Sequence, residues 1–314
     1  VTRSAPVSVV IGADDRTGAL EVAGACASPG MPVTVTVWPD ASGVGGVVDA
    51  GTRALDPPTA ARRAGSVGPA AWKLDSRLRG NWADELVALA RWRGRPVWVV
   101  AALPSMGRTC RNGVVRDETT GDVLGRPASV LGETAVVWDA ATDDDLAAIG
   151  ARWRAVPAAE RPVLAGTSAA VAAAVAPGAR PAPAPIEAPV VVVCGSLHPA
   201  ARAELAQLPP SVRVLTTPAS AVLDPLEAAR GLRDRLDGLD GPSGPGRVGT
   251  LVVVGGDTAA VVLGDGPLAV GGLMAPGVPW ARRPDGTGPL VITRSGGFHG
   301  PAALTAVLGA HCAP

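Results

Sequence analysis

The stretch Trp72 to Asn81, reading WKLDSRLRGN, gathers an ammonium, a carboxylate, a hydroxyl, two guanidinium forks and an amide side by side. Lys73 is the only lysine of the chain, and arginine supplies every other fixed positive side chain. A single lysine kept against that bias points to a task for a compact, mobile point charge rather than a planar fork. Asp75, Ser76, Arg77, Arg79, Gly80 and Asn81 follow it. The apolar Ala70-Ala71-Trp72 before them reads as a strand, and Trp82, Leu86, Leu89 and Ala90 after them have helical spacing. The polar cluster therefore lies on a strand-to-helix loop, where α/β proteins place ligands. The plain alternative is a solvated loop with a helix start at Asn81.

Such residues need a scaffold. The 314 residues suffice for two domains, and 47% hydrophobic content supports packed cores. A formal net charge of zero gives no electrostatic footprint for nucleic acid. No apolar run is long enough to span a membrane. The opening VTRSAPVSVVIG runs straight toward a strand without a signal-peptide pattern, so a cytoplasmic location is expected. Cys26, Cys110, Cys194 and Cys312 have no metal-ligand spacing, so free thiols and no metal site are expected. Eight Trp, one Phe and no Tyr make the aromatic content unusual, and the tryptophans read as core.

In chain order, Val7 to Ile11 is a buried strand that ends at Asp14 and Asp15, followed by a helix to Pro29-Gly30. Asp15 or Thr17 would cap that helix; two adjacent acids exceed what a cap requires. Val33 to Val37 and Val44 to Ala50 are further strands, the latter running into Arg53. Pro96 to Ala101 is a strand that leads to Gly107, Arg108 and Thr109, and Arg116 to Pro127 reads as a turn-rich excursion. Asp143, Asp144 and Asp145 complement a helix dipole. Pro177 to Pro189 is dense in proline and marks the join between a domain at 1–176 and another at 190–314. The second half repeats one device. Val190 to Cys194 runs into Gly195-Ser196-Leu197-His198, Leu251 to Val254 into Gly255-Gly256-Asp257-Thr258, and Pro289 to Thr293 into Arg294-Ser295-Gly296-Gly297. Small-residue turns between strand and helix offer free backbone N–H groups to phosphate. His198, His299 and His311 read as structural or exposed. The expected fold is α/β: two mostly parallel sheets flanked by helices, with a ligand cleft between the domains.

Taken together, these turns resemble the four-carbon acid sugar kinase family. ADDRTGA at Ala13–Ala19 resembles its ADDxTGA, KLDSRLRGN its KxDSTLRGN, and ALPSMGRT its AFPxxGRT. GSLH, GGDT and RSGGFHG resemble its GSxS, GGET and KSGNFG. Departures from the pattern are Arg16, Glu21, Arg77, His198, Asp257, Arg294 and Gly297. The resemblance implies an N-terminal sugar-acid domain and a C-terminal nucleotide domain, with ATP and Mg2+ as cofactors and threonate, erythronate or 3-oxo-tetronates as acceptors. It implies catalytic roles for Asp14 or Asp15 (base, hydroxyl orientation or Mg2+), for Asp75 as second choice of base, and for Lys73 in charge neutralisation. Arg53, Ser76, Arg77, Arg79, Asn81, Gly107 and Arg108 would bind the acid. Ser196, His198, Gly255, Gly256, Asp257, Thr258, Ser295, Gly296 and Gly297 would cradle the nucleotide. Partners would be the small acid and ATP, with neither nucleic acid nor membrane, and a homodimer is an allowed assembly. Two rival readings are a sensor or pseudokinase that binds an acidic metabolite, and a kinase for another hydroxy acid in which Arg77 reads an extra anionic group.

Overall fold

The computed structural model describes residues 7–40, 45–218, 224–240, 248–296 and 304–309. The N-terminal half carries β1 (Val10–Ala13), α1 (Arg16–Cys26), β2 (Val33–Val37), β3 (Gly46–Asp49), α2 (Pro57–Val67), β4 (Ala71–Lys73), α3 (Trp82–Arg93) and β5 (Val97–Val100). It continues with β6 (Arg108–Arg111), β7 (Val114–Asp117), β8 (Val123–Gly125), α4 (Pro127–Leu131), β9 (Ala135–Val137), α5 (Asp143–Ala155), β10 (Leu164–Gly166) and α6 (Ser168–Val175). The C-terminal half carries β11 (Val190–Cys194), α7 (Pro199–Leu205), β12 (Arg213–Thr216), α8 (Pro225–Asp240), β13 (Thr250–Val254) and α9 (Gly256–Leu263). Then come β14 (Leu268–Ala275), β15 (Val278–Arg282), β16 (Leu290–Arg294) and α10 (Leu304–Gly309).

Each half holds a parallel sheet, as expected, but the two are joined into one sheet of 13 strands in the order β12-β11-β13-β16-β15-β14-β2-β3-β1-β4-β10-β5-β9. The joint is the antiparallel β14–β15 hairpin: β15 pairs with β16 and β14 with β2. Sequence reading passed over it because Gly271, Gly272 and Pro279 dilute its alternation. The glycines make room for Trp280, whose ring would meet a Cβ on Gly271 at 2.1 Å. Three antiparallel steps reverse strand direction between the halves. A twist of roughly 20–25° per strand over the six steps from β1 to β13 adds about 120–150°. Reversal and twist together turn the two carboxyl edges back toward each other.

The segment 177–189 has neither helix nor strand and lies on the hairpin. Trp280 Nε1 donates to the Ala182 carbonyl at 2.8 Å, and Glu187 N donates to Thr250 Oγ1 at 2.8 Å. The excursion after β5 is a small antiparallel sheet, β6-β7-β8, which carries Arg108 and Asp117. Asp145 completes a capping box with Thr142 on α5, in keeping with the dipole reading.

Helix α1 is buried on nearly every side and packs on α6, β14, β15 and α9, so it belongs to both halves. Its core continues from the N-terminal strands into Leu268, Val270 and Ala281 of the hairpin. Two further clusters cover the faces of the C-terminal strands. Close approach between β1 and β4 is set by Gly12, where a Cβ would lie 2.2 Å from Trp72 Cζ3. Trp72 is fully buried and has nowhere to retreat. Gly12→Ala is therefore expected to cost about 1–3 kcal/mol by overpacking; a urea midpoint equal to wild type would contradict that contact.

Candidate active site

Asp14 and Asp15 stand at the carboxyl end of β1, in front of α1. Asp15 is the helix cap: its Oδ1 accepts from Gly18 N at 2.6 Å and its Oδ2 from Thr17 Oγ1 at 3.0 Å. Asp14 is left to Arg53, which grips it with two bonds, Nε to Oδ2 at 2.8 Å and Nη2 to Oδ1 at 2.9 Å. The same fork donates through Nη1 to Asp15, and its Nη2 lies 3.5 Å from Asp75 Oδ2. Arg53 is thus shared among three carboxylates, and its fork is already engaged. Its loop is tied to β1 by Thr52 N and Arg53 N, which both donate to the Asp14 carbonyl at 2.9 and 3.1 Å.

The β4 loop lies beside them. Lys73 Nζ donates to the Leu74 carbonyl at 2.9 Å and sits 3.3 Å from Glu21 Oε2, while Ser168 Oγ donates to Glu21 Oε1 at 2.5 Å. Asp75 accepts from Arg77 N at 2.7 Å and from Arg79 Nε at 2.6 Å. Leu78 has φ +56°, unusual for a branched side chain, and so reverses the chain between Arg77 and Arg79. Arg108 is buried, donates through Nη1 to Ser76 Oγ at 2.7 Å, and shares Asp117 with Arg77 at 3.7 and 3.5 Å.

In the C-terminal half, β11, β13 and β16 are parallel neighbours, so their three turns share one edge. The turns interlock: a Cβ on Gly195 would lie 2.1 Å from Thr258 Oγ1, and one on Gly296 would lie 2.3 Å from Ser196 Oγ. They also meet the first half. A Cβ on Gly256 would lie 2.8 Å from Asp15 Oδ2, so the start of α9 abuts the acid pair.

Both linings face one cleft of about 870 Å3. Asp14, Asp15, Arg53, Arg77 and Arg79 line it from one side; Ser196, His198, Gly255 to Thr258, Ser295 and Gly296 line it from the other. Lys73, Asp75 and Ser76 line a crevice of about 20 Å3 beside it, together with Asp15, Arg53, Arg79 and Ser295. Arg108 reaches that crevice through Ser76. Asn81 and Gly107 line neither space. Asn81 Nδ2 donates to the Thr52 and Leu55 carbonyls, both at 2.9 Å, and Gly107, at φ +68°, closes the turn Pro104–Met106. Gly297 and His299 lie outside the described residues, as do His311 and Cys312. Arg294 is turned inward to Glu204 at 2.6 Å. Residues that sequence reading did not assign to the site include Asp49, Thr217, Leu226 and, behind the cleft, Glu85. Thr217 and Leu226 follow a strand end and a proline, a signal the first half uses repeatedly.

Burial pushes the Asp14 carboxyl up to about 6, against the pull of Arg53 and with a push from Asp15. Burial also raises Asp49 to about 7, opposed by Arg16, and Glu85 to about 8, with Asp14 adding to the rise. At Asp75 burial is outweighed by Arg53 and Arg79, and the carboxyl is held below its usual range. These directions carry a stability prediction. A carboxyl raised by folding contributes stability below its unfolded value, and that contribution is lost as pH climbs through its folded value. Asp14, Asp49 and Glu85 all titrate this way between about 6 and 8. The protein is expected to lose on the order of 2 kcal/mol between pH 6 and pH 8.5; chemical unfolding at the two values checks this, and greater stability at the higher pH would contradict it.

Residues 9–129 match the family described as the sugar-binding N-terminal domain. No curated protein sequence matches the chain significantly. Among solved structures, the Haemophilus influenzae protein HI1011, of family DUF1537, aligns with TM-score 0.65 and 18% identity over 96% of this chain and 100% of its own. A putative tRNA synthase from Salmonella typhimurium aligns with TM-score 0.71 and 17% identity over 96% of this chain and 98% of its own. At those identities the likeness is one of fold, and it runs through both halves. Among the described residues no helix is long and apolar enough to cross a membrane.

Proposed function

We propose that the protein is an ATP-dependent kinase that phosphorylates a hydroxyl of a small, four-carbon sugar acid such as threonate, erythronate or a 3-oxo-tetronate. The observation that carries the reading is the shared cleft, with charged side chains on one wall and glycine-rich turns on the other. Phosphoryl transfer asks for positioning and charge neutralisation more than covalent help. The turns at Ser196, Gly255-Gly256 and Ser295-Gly296 would hold the phosphates of ATP through backbone N–H groups. Leu197 and Leu226, the two exposed leucines of the cleft, would flank the base, and the buried Thr217 Oγ1, which has no hydrogen-bond partner among the described residues, would face it.

The acid would bind at the mouth of the small crevice, with its carboxylate on Arg79 and on Ser76, which Arg108 backs. The acceptor hydroxyl would attack the γ-phosphorus, Asp14 would take its proton, and ADP would leave. Lys73 would offset charge on the transferred group. The acid pair is already held by Arg53, so the exposed Asp257 at the start of α9 would hold Mg2+, which supplies charge neutralisation on the phosphates. The crevice has room for about one water, so the halves would open for the acid and close over it.

The inward-facing Arg294, locked to Glu204, favours a second reading: a sensor that binds the acid without nucleotide. A panel of four-carbon sugar acids, scored by ATP consumption and by mass-spectrometric detection of the phosphorylated product, tests the kinase. Calorimetric binding of an acid with no binding of ATP would favour the sensor.

A further inference from the structure

Glu85, on the first turn of α3, reaches neither the cleft nor the crevice. It is 1% exposed. Its Oε1 accepts from Thr52 Oγ1 at 2.5 Å and its Oε2 from Trp72 Nε1 at 3.1 Å, and both partners are fully buried. An ionisable carboxyl in such a place is expensive to bury. Its value must lie in what it holds.

Glu85 holds Thr52, the residue before Arg53. Four residues earlier, Asn81 Nδ2 donates to the carbonyls of Thr52 and Leu55. The start of α3 therefore grips this loop from behind at three points, through two side chains on one face. From the front the loop is pinned by the Asp14 carbonyl, which accepts from Thr52 N and Arg53 N. We propose that Glu85 is a positioning residue: through Thr52 it fixes the angle at which Arg53 meets Asp14, Asp15 and Asp75. A fork that must serve three carboxylates tolerates little rotation, and small misplacements at a reacting centre are costly.

The kinetic arm of the test rests on the kinase reading; a second arm does not. Glu85→Leu removes both acceptors. Glu85→Gln keeps one of them. With an acid that the wild type phosphorylates, Glu85→Leu is expected to lower kcat by about 10- to 100-fold in protein that is still folded, with a lower urea midpoint because Thr52 Oγ1 and Trp72 Nε1 lose their acceptor. Glu85→Gln should recover part of kcat. In the second arm, the 15N NMR signal of Arg53 Nε–H, which donates to Asp14, should shift in Glu85→Leu and return part of the way in Glu85→Gln. Wild-type kcat together with an unmoved Arg53 signal overturns the proposal, as does a fall in activity that only tracks loss of folded protein. If the wild type phosphorylates no acid, the kinase reading fails and the Arg53 NMR signal decides this inference alone.

Discussion

Asp14→Asn is expected to cut kcat by about 10²–10⁴-fold, the range that general bases supply, while leaving the protein folded. The asparagine is isosteric and keeps one acceptor for Arg53. It cannot take a proton. Burial already opposes the charged form of Asp14 and brings the carboxyl to about 6, so loss of that charge should cost little stability. Wild-type kcat/KM should fall as pH drops through about 6, and this limb should vanish in the variant. Asp15→Asn sets the contrast. Asparagine caps helices as well as aspartate does, and Asp15 already accepts from Gly18 N and Thr17 Oγ1. Its loss of activity should be the smaller of the two. Steady-state kinetics on both variants checks the order, and equal activities would remove Asp14 as the base.

Arg53→Ala should be the most damaging single change to the site's structure. It leaves Asp14, Asp15 and Asp75 together without their common cation. Loss of one partner of a buried pair costs about 3–5 kcal/mol; with the Arg53 side chain 27% exposed, about 2–3 kcal/mol is expected here. The sign of the pH response follows. Without Arg53, Asp14 and Asp75 would hold protons to higher pH, so the variant should gain more stability than wild type on acidification from pH 8 to pH 6. Arg53→Lys should rescue little, because an ammonium cannot span three carboxylates as a fork does. Urea unfolding at both pH values checks this, and a variant as stable as wild type at pH 8 would contradict the shared-fork geometry.

Buried parallel strands announce themselves as apolar runs, which is why β11 and the turns after β1, β11, β13 and β16 are legible in the sequence. Helix α3 is legible from Trp82 to Arg93 because Gly94, in the left-handed region, ends it. The β14–β15 hairpin is less visible. Its Pro276-Gly277 turn is a signal, but its strands trade side chains for glycine so that Trp280 can pack. Within the site, chemistry-bearing residues at strand ends could be named, while their pairings could not. Thr52 and Glu85 lie 33 positions apart, and nothing in either neighbourhood points to the other. Asn81 shows the converse: a residue in a ligand-like motif whose side chain turns back to hold the backbone. Spacing places a residue on a loop and leaves open which way it faces.

Hydrogen–deuterium exchange with a non-hydrolysable ATP analogue and a sugar acid, added singly and together, tests the shared cleft most directly. The expected result is protection at 195–198 and 255–258 from the nucleotide and at 14–18, 52–55 and 75–79 from the acid. Both together should deepen protection where Gly256 meets Asp15. Protection on surfaces away from the cleft, or none from either ligand, would contradict the account.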